Sequence, residues 1–238
     1  MNISKKIAII SGGSGYLGSS LVQTFICNNF SVIILEKEKK EVSKTENVHF
    51  KFVDISIDSE VKNVAEEIKK EYGEIHTIVH AASDPLERRP MLSLSSEDFE
   101  RQFFVNVFGG FHLFKHFSEF LEENGSFIGI TSSVILPSSV HSKSGSYVAA
   151  KYGLQGLLRT LSLEVSFRVY SVAPAFMQGG LNNDMSEIVR ELIIKKSQPE
   201  NITNTNEVAE AIFSLVNDRE KKWNGKTIAL PGFLVSEL

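Results

Sequence analysis

The segment Ile7-Ala8-Ile9-Ile10-Ser11-Gly12-Gly13-Ser14-Gly15-Tyr16-Leu17-Gly18 decides the fold. Its first four residues form an apolar run of strand type, and Leu21, Val22, Phe25 and Ile26 follow at helical spacing. Between strand and helix lies a glycine-rich turn. Such a turn lets backbone N–H groups approach a pyrophosphate, while the helix N-terminus adds partial positive charge. A glycine pattern alone is weakly diagnostic. A strand before it, a helix after it and a place at the start of a βαβ unit make it specific.

Outward from this turn, β-rich runs alternate with segments of helical period. Residues 7–10, 32–35, 49–53, 77–79, 127–130, 169–172 and 227–230 read as seven strands. Val61, Val64, Ala65 and Ile68 recur at amphipathic helical spacing, as do Val208, Ala209, Ile212, Leu215 and Val216. Strands that are apolar on both sides and joined by helices bury both sheet faces. The expected fold is therefore α/β: a Rossmann-like, doubly wound, seven-stranded parallel sheet with helices on both faces. Ligands then gather at the carboxyl ends of the strands. The long connections 83–96 and 176–205 fall at that edge, and 182–197 reads as a lid helix.

The chain has 238 residues, 42% hydrophobic and 23% charged, a balance that fits one globular domain over 1–238 better than a disordered or fibrous class. A formal charge of −4 argues against a dedicated nucleic-acid binder, which needs a basic face, and points to small-molecule partners. Cys27 is the only cysteine, so no internal disulfide forms; beside Phe25, Ile26 and Phe30 it reads as a buried structural thiol. Neither a signal-peptide pattern nor a run of about 18 apolar residues is present, so a cytoplasmic protein with no membrane partner is expected.

Several side chains at strand ends suit a dinucleotide. Glu36 closes the second strand, where a carboxylate accepts hydrogen bonds from the adenosine ribose hydroxyls; this favours NAD(H). Lys37, Lys39 and Lys40 could offset its repulsion of a 2′-phosphate and keep NADP(H) open, although a solvated turn is their ordinary reading. Asp54 ends the third strand, beside Ile55, placed to take the adenine amino group or to cap the next helix. Tyr147-Val148-Ala149-Ala150-Lys151 puts a phenol and an ammonium on one helix face. A nearby ammonium lowers a phenol's pKa from about 10, fitting it to exchange a proton with a carbonyl oxygen.

Ser-Gly-x-x-Gly-x-x-Gly at 11–18, Asp54, Asn106, a serine-ended strand and Tyr147-x-x-x-Lys151 together resemble the short-chain dehydrogenase/reductase family, in order and spacing over nearly the whole chain. Arg168 to Pro174 looks like that family's sixth strand, and Asn224-Gly225-Lys226 like the approach to its last. The resemblance implies an NAD(P)-dependent carbonyl reductase or alcohol dehydrogenase, with hydride passing between nicotinamide and a carbonyl or hydroxyl substrate. It implies a tetrad: Asn106 helping to hold a water in a proton relay, a serine polarising the carbonyl, Tyr147 as acid/base, and Lys151 on the nicotinamide ribose. Thr131, Ser132 and Ser133 lie in succession. Counting from the strand start selects Ser132, counting back from Tyr147 favours Ser133, and Ser132 is preferred.

The same resemblance places the cofactor against Gly12, Ser14, Gly15, Tyr16 and Leu17, then Glu36, Asp54 and Ile55. Ala81 and Ala82 follow the fourth strand, Pro174, Phe176 and Met177 the sixth, and Tyr147 and Lys151 complete the lining; no metal is called for. It implies a homodimer or homotetramer built on the helices carrying Asn106 and Tyr147. The run Phe103, Phe104, Val107, Phe108, Phe111, Leu113, Phe114 and Phe117 covers more than one helical face and fits such an interface.

The match has departures. Two residues, not three, separate Gly12 from Gly15, and His80-Ala81-Ala82-Ser83 replaces the usual Asn-Asn-Ala-Gly. Both features are similar to the extended, sugar-nucleotide branch, whose extra substrate domain 238 residues cannot hold. His80 is expected to pack structurally at a strand end. Ala175 replaces the glycine that follows the proline. Competing readings are a 3-oxoacyl-thioester reductase, a sugar-nucleotide-modifying enzyme, and a non-catalytic NAD(P)-binding sensor or scaffold. Arg88 and Arg89 either clamp a substrate phosphate or carboxylate or belong to a solvated loop. Met177, Leu181 and Met185 either line an apolar pocket or pack in the core.

Overall fold

Eight strands form one sheet in the computed structural model, which describes residues 5–38, 46–136, 143–196 and 202–236. They are β1 (Lys6–Ser11), β2 (Phe30–Glu36), β3 (Val48–Phe52), β4 (Ile75–His80), β5 (Leu121–Ile130), β6 (Arg168–Pro174), β7 (Thr227–Leu230) and β8 (Leu234–Ser236). Their order is β3-β2-β1-β4-β5-β6-β7-β8. The seven expected strands are present and parallel. The eighth turns back antiparallel along β7 and caps the edge. Three residues are too few to show a period of two, so the sequence pattern hides it.

The helices are α1 (Tyr16–Cys27), α2 (Asp58–Tyr72), α3 (Ser96–Phe103), α4 (Gly109–Phe117), α5 (Gly145–Glu164), α6 (Glu187–Lys196) and α7 (Thr205–Val216). Alternation along each strand sends neighbouring residues to opposite cores. Ala8 and Ile10 join Leu21 and Phe25 of α1 and Ile212 and Leu215 of α7 on one face. Ile9 joins Val61 and Ile68 of α2, Leu113 and Phe117 of α4, and Leu154 and Leu158 of α5 on the other. Burying each such side chain is worth about 1.5–3 kcal/mol. The sheet is thus a stiff frame for the loops at its edge.

Two sequence expectations need correction. Cys27 is exposed, and Gln23 Nε2 donates to its sulfur at 3.2 Å. The buried stripe of α1 runs through Leu17, Gly18, Leu21 and Phe25, and position 27 lies about 200° round the helix from Phe25. The helix read over 182–197 starts later: Asn182 sits in a tight turn and α6 begins only at Glu187, while residue 197 lies outside the described residues. No helix among the described residues is long and apolar enough to cross a membrane.

Two local features place the site. The chain moves from β1 to β2 on one side and reaches β4 on the other, so the strand order reverses between β1 and β4, with Ser11 paired to His80 at their carboxyl ends. Ligand crevices open at such a switch point. Further on, Ser95 and Asp98 form a capping box that starts α3. A five-residue π turn, Phe104–Phe108, then joins α3 to α4. Turns of this kind concentrate at functional sites.

Candidate active site

The glycine loop is shaped by contacts that exclude side chains. Gly12 has φ +71°, and a Cβ there would lie 2.8 Å from Ala82 Cα; a Cβ on Gly18 would lie 2.1 Å from the Gly12 carbonyl oxygen. Gly15 is the N-cap of α1, with no side-chain cap and no acidic residue in the first turn. The helix start therefore keeps N–H groups for an anion. Glu36 Oε1 accepts from Ser14 N at 2.7 Å, which ties the β2 carboxylate to the loop. A cradle closed to Cβ atoms, an uncapped helix start and a carboxylate at the end of β2 fit a dinucleotide.

The other cofactor candidates gather at this edge. Ala81 N donates to Ser11 O at 3.2 Å, and Ala82 N to Ser11 Oγ at 3.4 Å. Ile55 is buried, and its carbonyl accepts from His112 Nδ1 at 2.9 Å. Pro174 closes β6; Phe176 bridges to Ile202, and Met177 O accepts from Asn182 Nδ2 at 2.8 Å. Tyr16 is exposed, and its ring covers the backbone of Gly179, where a Cβ would come within 2.6 Å of Tyr16 Cε2. Leu17 points into the core, which leaves only its backbone for a ligand.

Asp54 does not cap α2, whose N-cap is Ile57. Its Oδ1 accepts from Ser56 N at 3.0 Å and Ser56 Oγ at 2.6 Å, while Lys37 Nζ lies 2.7 Å from Oδ2. Burial opposes its ionisation, but the bonds from Lys37 and Ser56 prevail and hold the carboxyl below the usual carboxylate range. Lys37 is thus a solvated ion-pair partner of Asp54. Lys39 and Lys40 lie outside the described residues.

The catalytic candidates come from the π turn, the end of β5 and α5. Lys151 Nζ stands 5.4 Å from the Tyr147 ring centroid and donates to Ile130 O at 2.8 Å. Burial pushes its ammonium down to about 7. Burial likewise pushes the Tyr147 phenol up, while a hydrogen bond with the Ser132 side chain and the charge of Arg88 pull it down. Burial prevails, so the phenol stands above its ordinary value and not below it, while the Lys151 ammonium donates to the β5 carbonyl.

The three hydroxyls after β5 separate by direction. Thr131 Oγ1 bonds Ser171 Oγ at 2.8 Å and Val172 O at 3.0 Å, which places it within the sheet. The Ser132 side chain is among the groups that pull the Tyr147 phenol down, and its Oγ accepts from Val134 N at 3.4 Å. Ser133 opens a short 3-10 turn, Ser133–Ile135. Ser132 is still extended, so its side chain points opposite to that of Thr131, and the chain then turns at Ser133.

Asn106 is fully buried in the π turn, where its Nδ2 donates to Gln102 O at 2.9 Å and Gln102 Oε1 at 3.1 Å. Its Oδ1 has no partner among the described residues. An unpaired buried acceptor costs about 1–3 kcal/mol and marks a position kept for more than stability. Gln102, missed in the sequence, is buried and donates from Nε2 to Asp84 O at 3.3 Å and Pro85 O at 2.7 Å. Its position four residues before Asn106 on one helix face was the available signal.

Arg88 holds the connection after β6. Its Nε lies 3.2 and 3.1 Å from the two Asp184 carboxylate oxygens, and Nη2 donates to Leu181 O at 3.1 Å and Asn182 Oδ1 at 2.6 Å. Arg89 pairs with Asp98 at 2.6 Å and Glu87 at 3.2 Å. Both arginines are engaged with the protein itself.

A family model described as enoyl-(acyl carrier protein) reductase matches residues 18–232. Among curated proteins, short chain aldehyde dehydrogenase 1 of Euphorbia lathyris is 28% identical, over 95% of this chain and 87% of its own. The 3-oxoacyl-(acyl-carrier-protein) reductase FabG of Thermotoga maritima is 25% identical, over 99% of this chain and 100% of its own. Among solved structures, the ligand-free aldohexose dehydrogenase of Thermoplasma acidophilum superposes with a TM-score of 0.85 at 22% identity, covering 97% of this chain and 94% of that one. ElxO with NADP bound superposes with a TM-score of 0.80 at 20% identity, covering 96% and 98%.

Proposed function

The chain belongs to the short-chain dehydrogenase/reductase family and is an NAD(P)-dependent oxidoreductase of CH–OH and C=O groups; on that premise we propose a carbonyl reductase or alcohol dehydrogenase with Tyr147 as acid/base. The observation that carries this reading is the buried Lys151 ammonium 5.4 Å from the Tyr147 ring centroid, with the Ser132 side chain among the groups that pull the phenol down. When bound, the nicotinamide supplies or accepts the hydride at the substrate carbon. Ser132 and Tyr147 together hydrogen-bond the substrate oxygen. In reduction Tyr147 gives that oxygen its proton; in oxidation it takes the proton back. A phenol whose pKa is raised is protonated at neutral pH, the form that serves reduction. Lys151 binds the nicotinamide ribose, and Asn106 orders the path by which the phenol's proton is replaced.

NAD(H) is the favoured cofactor. Glu36, tethered to Ser14, presents a carboxylate where a 2′-phosphate would be repelled, and Lys37 is engaged by Asp54. NADP(H), which ElxO binds in its solved structure, is the competing choice. The relatedness to the Thermotoga maritima enzyme supports a 3-oxoacyl thioester as the second substrate reading. A homodimer or homotetramer is supported by Phe104, Phe108 and Phe111, which stand exposed at i, i+4 and i+7 along the π turn and α4.

The test is Tyr147→Phe, followed through reduced-cofactor absorbance over a panel of carbonyls. Turnover is expected to fall by about 10²–10⁴-fold, with the Kd for NADH within about twofold of wild type. Undiminished turnover in a folded, cofactor-binding variant overturns the reading. A wild-type protein that binds NADH but turns over no carbonyl or alcohol supports the sensor alternative.

A further inference from the structure

We propose that His80 is a positioning residue of the active site, locking the main-chain carbonyl of Asn106, and with it the π turn, to the strand that carries the dinucleotide loop. The proposal rests on the oxidoreductase reading above. His80 ends β4 at the switch point, directly paired with Ser11, and is 1% exposed. Its Nε2 lies 3.1 Å from Asn106 O and its Nδ1 2.9 Å from Ser11 Oγ.

These partners fix the proton positions. A carbonyl oxygen only accepts, so Nε2 carries the hydrogen, and in a neutral ring Nδ1 must accept the Ser11 hydroxyl proton. Ser11 Oγ in turn accepts from Ala82 N at 3.4 Å. Donors thus point in one direction, from the Ala82 amide through Ser11 and His80 to Asn106. A second proton on the ring would remove the acceptor that Ser11 needs. Burial first, and the charge of Lys151 second, oppose protonation and hold the imidazole down to about 4, against the carbonyls of Asn106 and Val105, which favour the charged form.

Space for the ring is also specific. A Cβ on Gly110, one helical turn beyond Asn106, would lie 3.2 Å from His80 Cδ2. The bond acts on the part of the helix that must be accurate. Asn106 supplies a buried side-chain oxygen with no protein partner among the described residues, and its place depends on the backbone that His80 anchors. A displacement near 1 Å at a positioning group costs about 100-fold in rate.

The experiment compares His80→Gln with His80→Asn in the full chain. A glutamine amide nitrogen sits about as far from the backbone as Nε2 and can still donate to Asn106 O; that of asparagine sits at the distance of Nδ1 and falls short. His80→Gln is expected to keep kcat within about threefold, and His80→Asn to lose about 10–100-fold, both with NADH affinity within about twofold and unfolding within a few degrees of wild type. Equal kcat in the two variants, whether high or low, overturns the proposal. Should His80→Asn fail to fold, the ring's tautomer in the wild-type protein decides the proposal. Nitrogen NMR of the wild-type protein without cofactor should find His80 as the neutral Nε2–H tautomer at pH 6; an Nδ1–H or charged ring refutes the bond. A wild-type protein with no turnover fails the oxidoreductase reading, while this NMR result still decides the His80 contact.

Discussion

The glycine loop and the catalytic cluster share one edge of the sheet but are built from opposite materials. The loop is a contiguous stretch whose shape depends on absent side chains: Gly12 sits against the Ala82 backbone and Gly18 against the Gly12 carbonyl. The cluster is made of side chains from separate elements, with Asn106 in the π turn, Ser132 after β5 and Tyr147 and Lys151 on α5. Two loop amides find partners as it folds, Gly12 N with Leu35 O at 3.0 Å and Ser14 N with Glu36 Oε1 at 2.7 Å, while those at the uncapped start of α1 stay open. The cluster buries groups at odds with their surroundings: an unpaired Asn106 Oδ1 and a Lys151 ammonium whose pKa falls to about 7. On the proposed reading, binding rests on the loop's backbone and chemistry on side chains whose burial is costly, so the two can be damaged independently.

Gly18→Ala should break the loop alone and gives the largest expected effect on cofactor binding. The added methyl lands 2.1 Å from a backbone oxygen that cannot rotate away. The Kd for NADH should rise by about 100-fold or more, a loss of about 3 kcal/mol, when followed by cofactor fluorescence. An unchanged Kd would show that the loop does not hold the cofactor. Tyr147→Phe is its converse, removing turnover and sparing binding.

Lys151→Met should separate activity from stability within the cluster. Because the folded-state pKa of Lys151 is about 7 against an ordinary 10.5, the unfolded chain binds more protons between those values. Stability then rises with pH across that window, and the cost of the buried charge is felt in full below pH 7. Removing the charge should abolish turnover, stabilise the protein at pH 6 by on the order of a few kcal/mol, and flatten the dependence of stability on pH between 7 and 10. Denaturant unfolding at pH 6 and pH 9 checks this. A less stable variant at pH 6 would mean that the bond to Ile130 O outweighs the burial cost.

Glu36→Ala sharpens the comparison with the smallest effect, since it removes a side chain on which the loop does rely. The ratio of Kd values for NADPH and NADH should shift towards NADPH by about tenfold, equivalent to about 1.4 kcal/mol. Parallel titrations with the two reduced cofactors measure it. No shift would take Glu36 out of cofactor selection.

Local pattern explains which parts were legible in advance. The glycine turn, the seven parallel strands and the Tyr147 and Lys151 pair are each written within a few neighbouring residues, where spacing alone determines strand, turn or shared helix face. Three-residue β8 was too short to show a period, and Cys27 was misjudged because apolar neighbours in sequence are not neighbours round a helix. Gln102 had an i, i+4 relation to Asn106 but no composition to mark it.

By itself the sequence determined the doubly wound sheet and the edge where its glycine turn and helix-borne Tyr147 and Lys151 lie, because periodicity and turn chemistry act over short range. Tertiary structure alone decided their relations. It gave Lys37 to Asp54, Arg88 to Asp184 and the Lys151 ammonium to the Ile130 carbonyl. It also set His80 between Ser11 and Asn106. Those outcomes depend on burial and on distances between segments far apart in the chain, and desolvation and electrostatics acquire their sign and size only once the segments are packed.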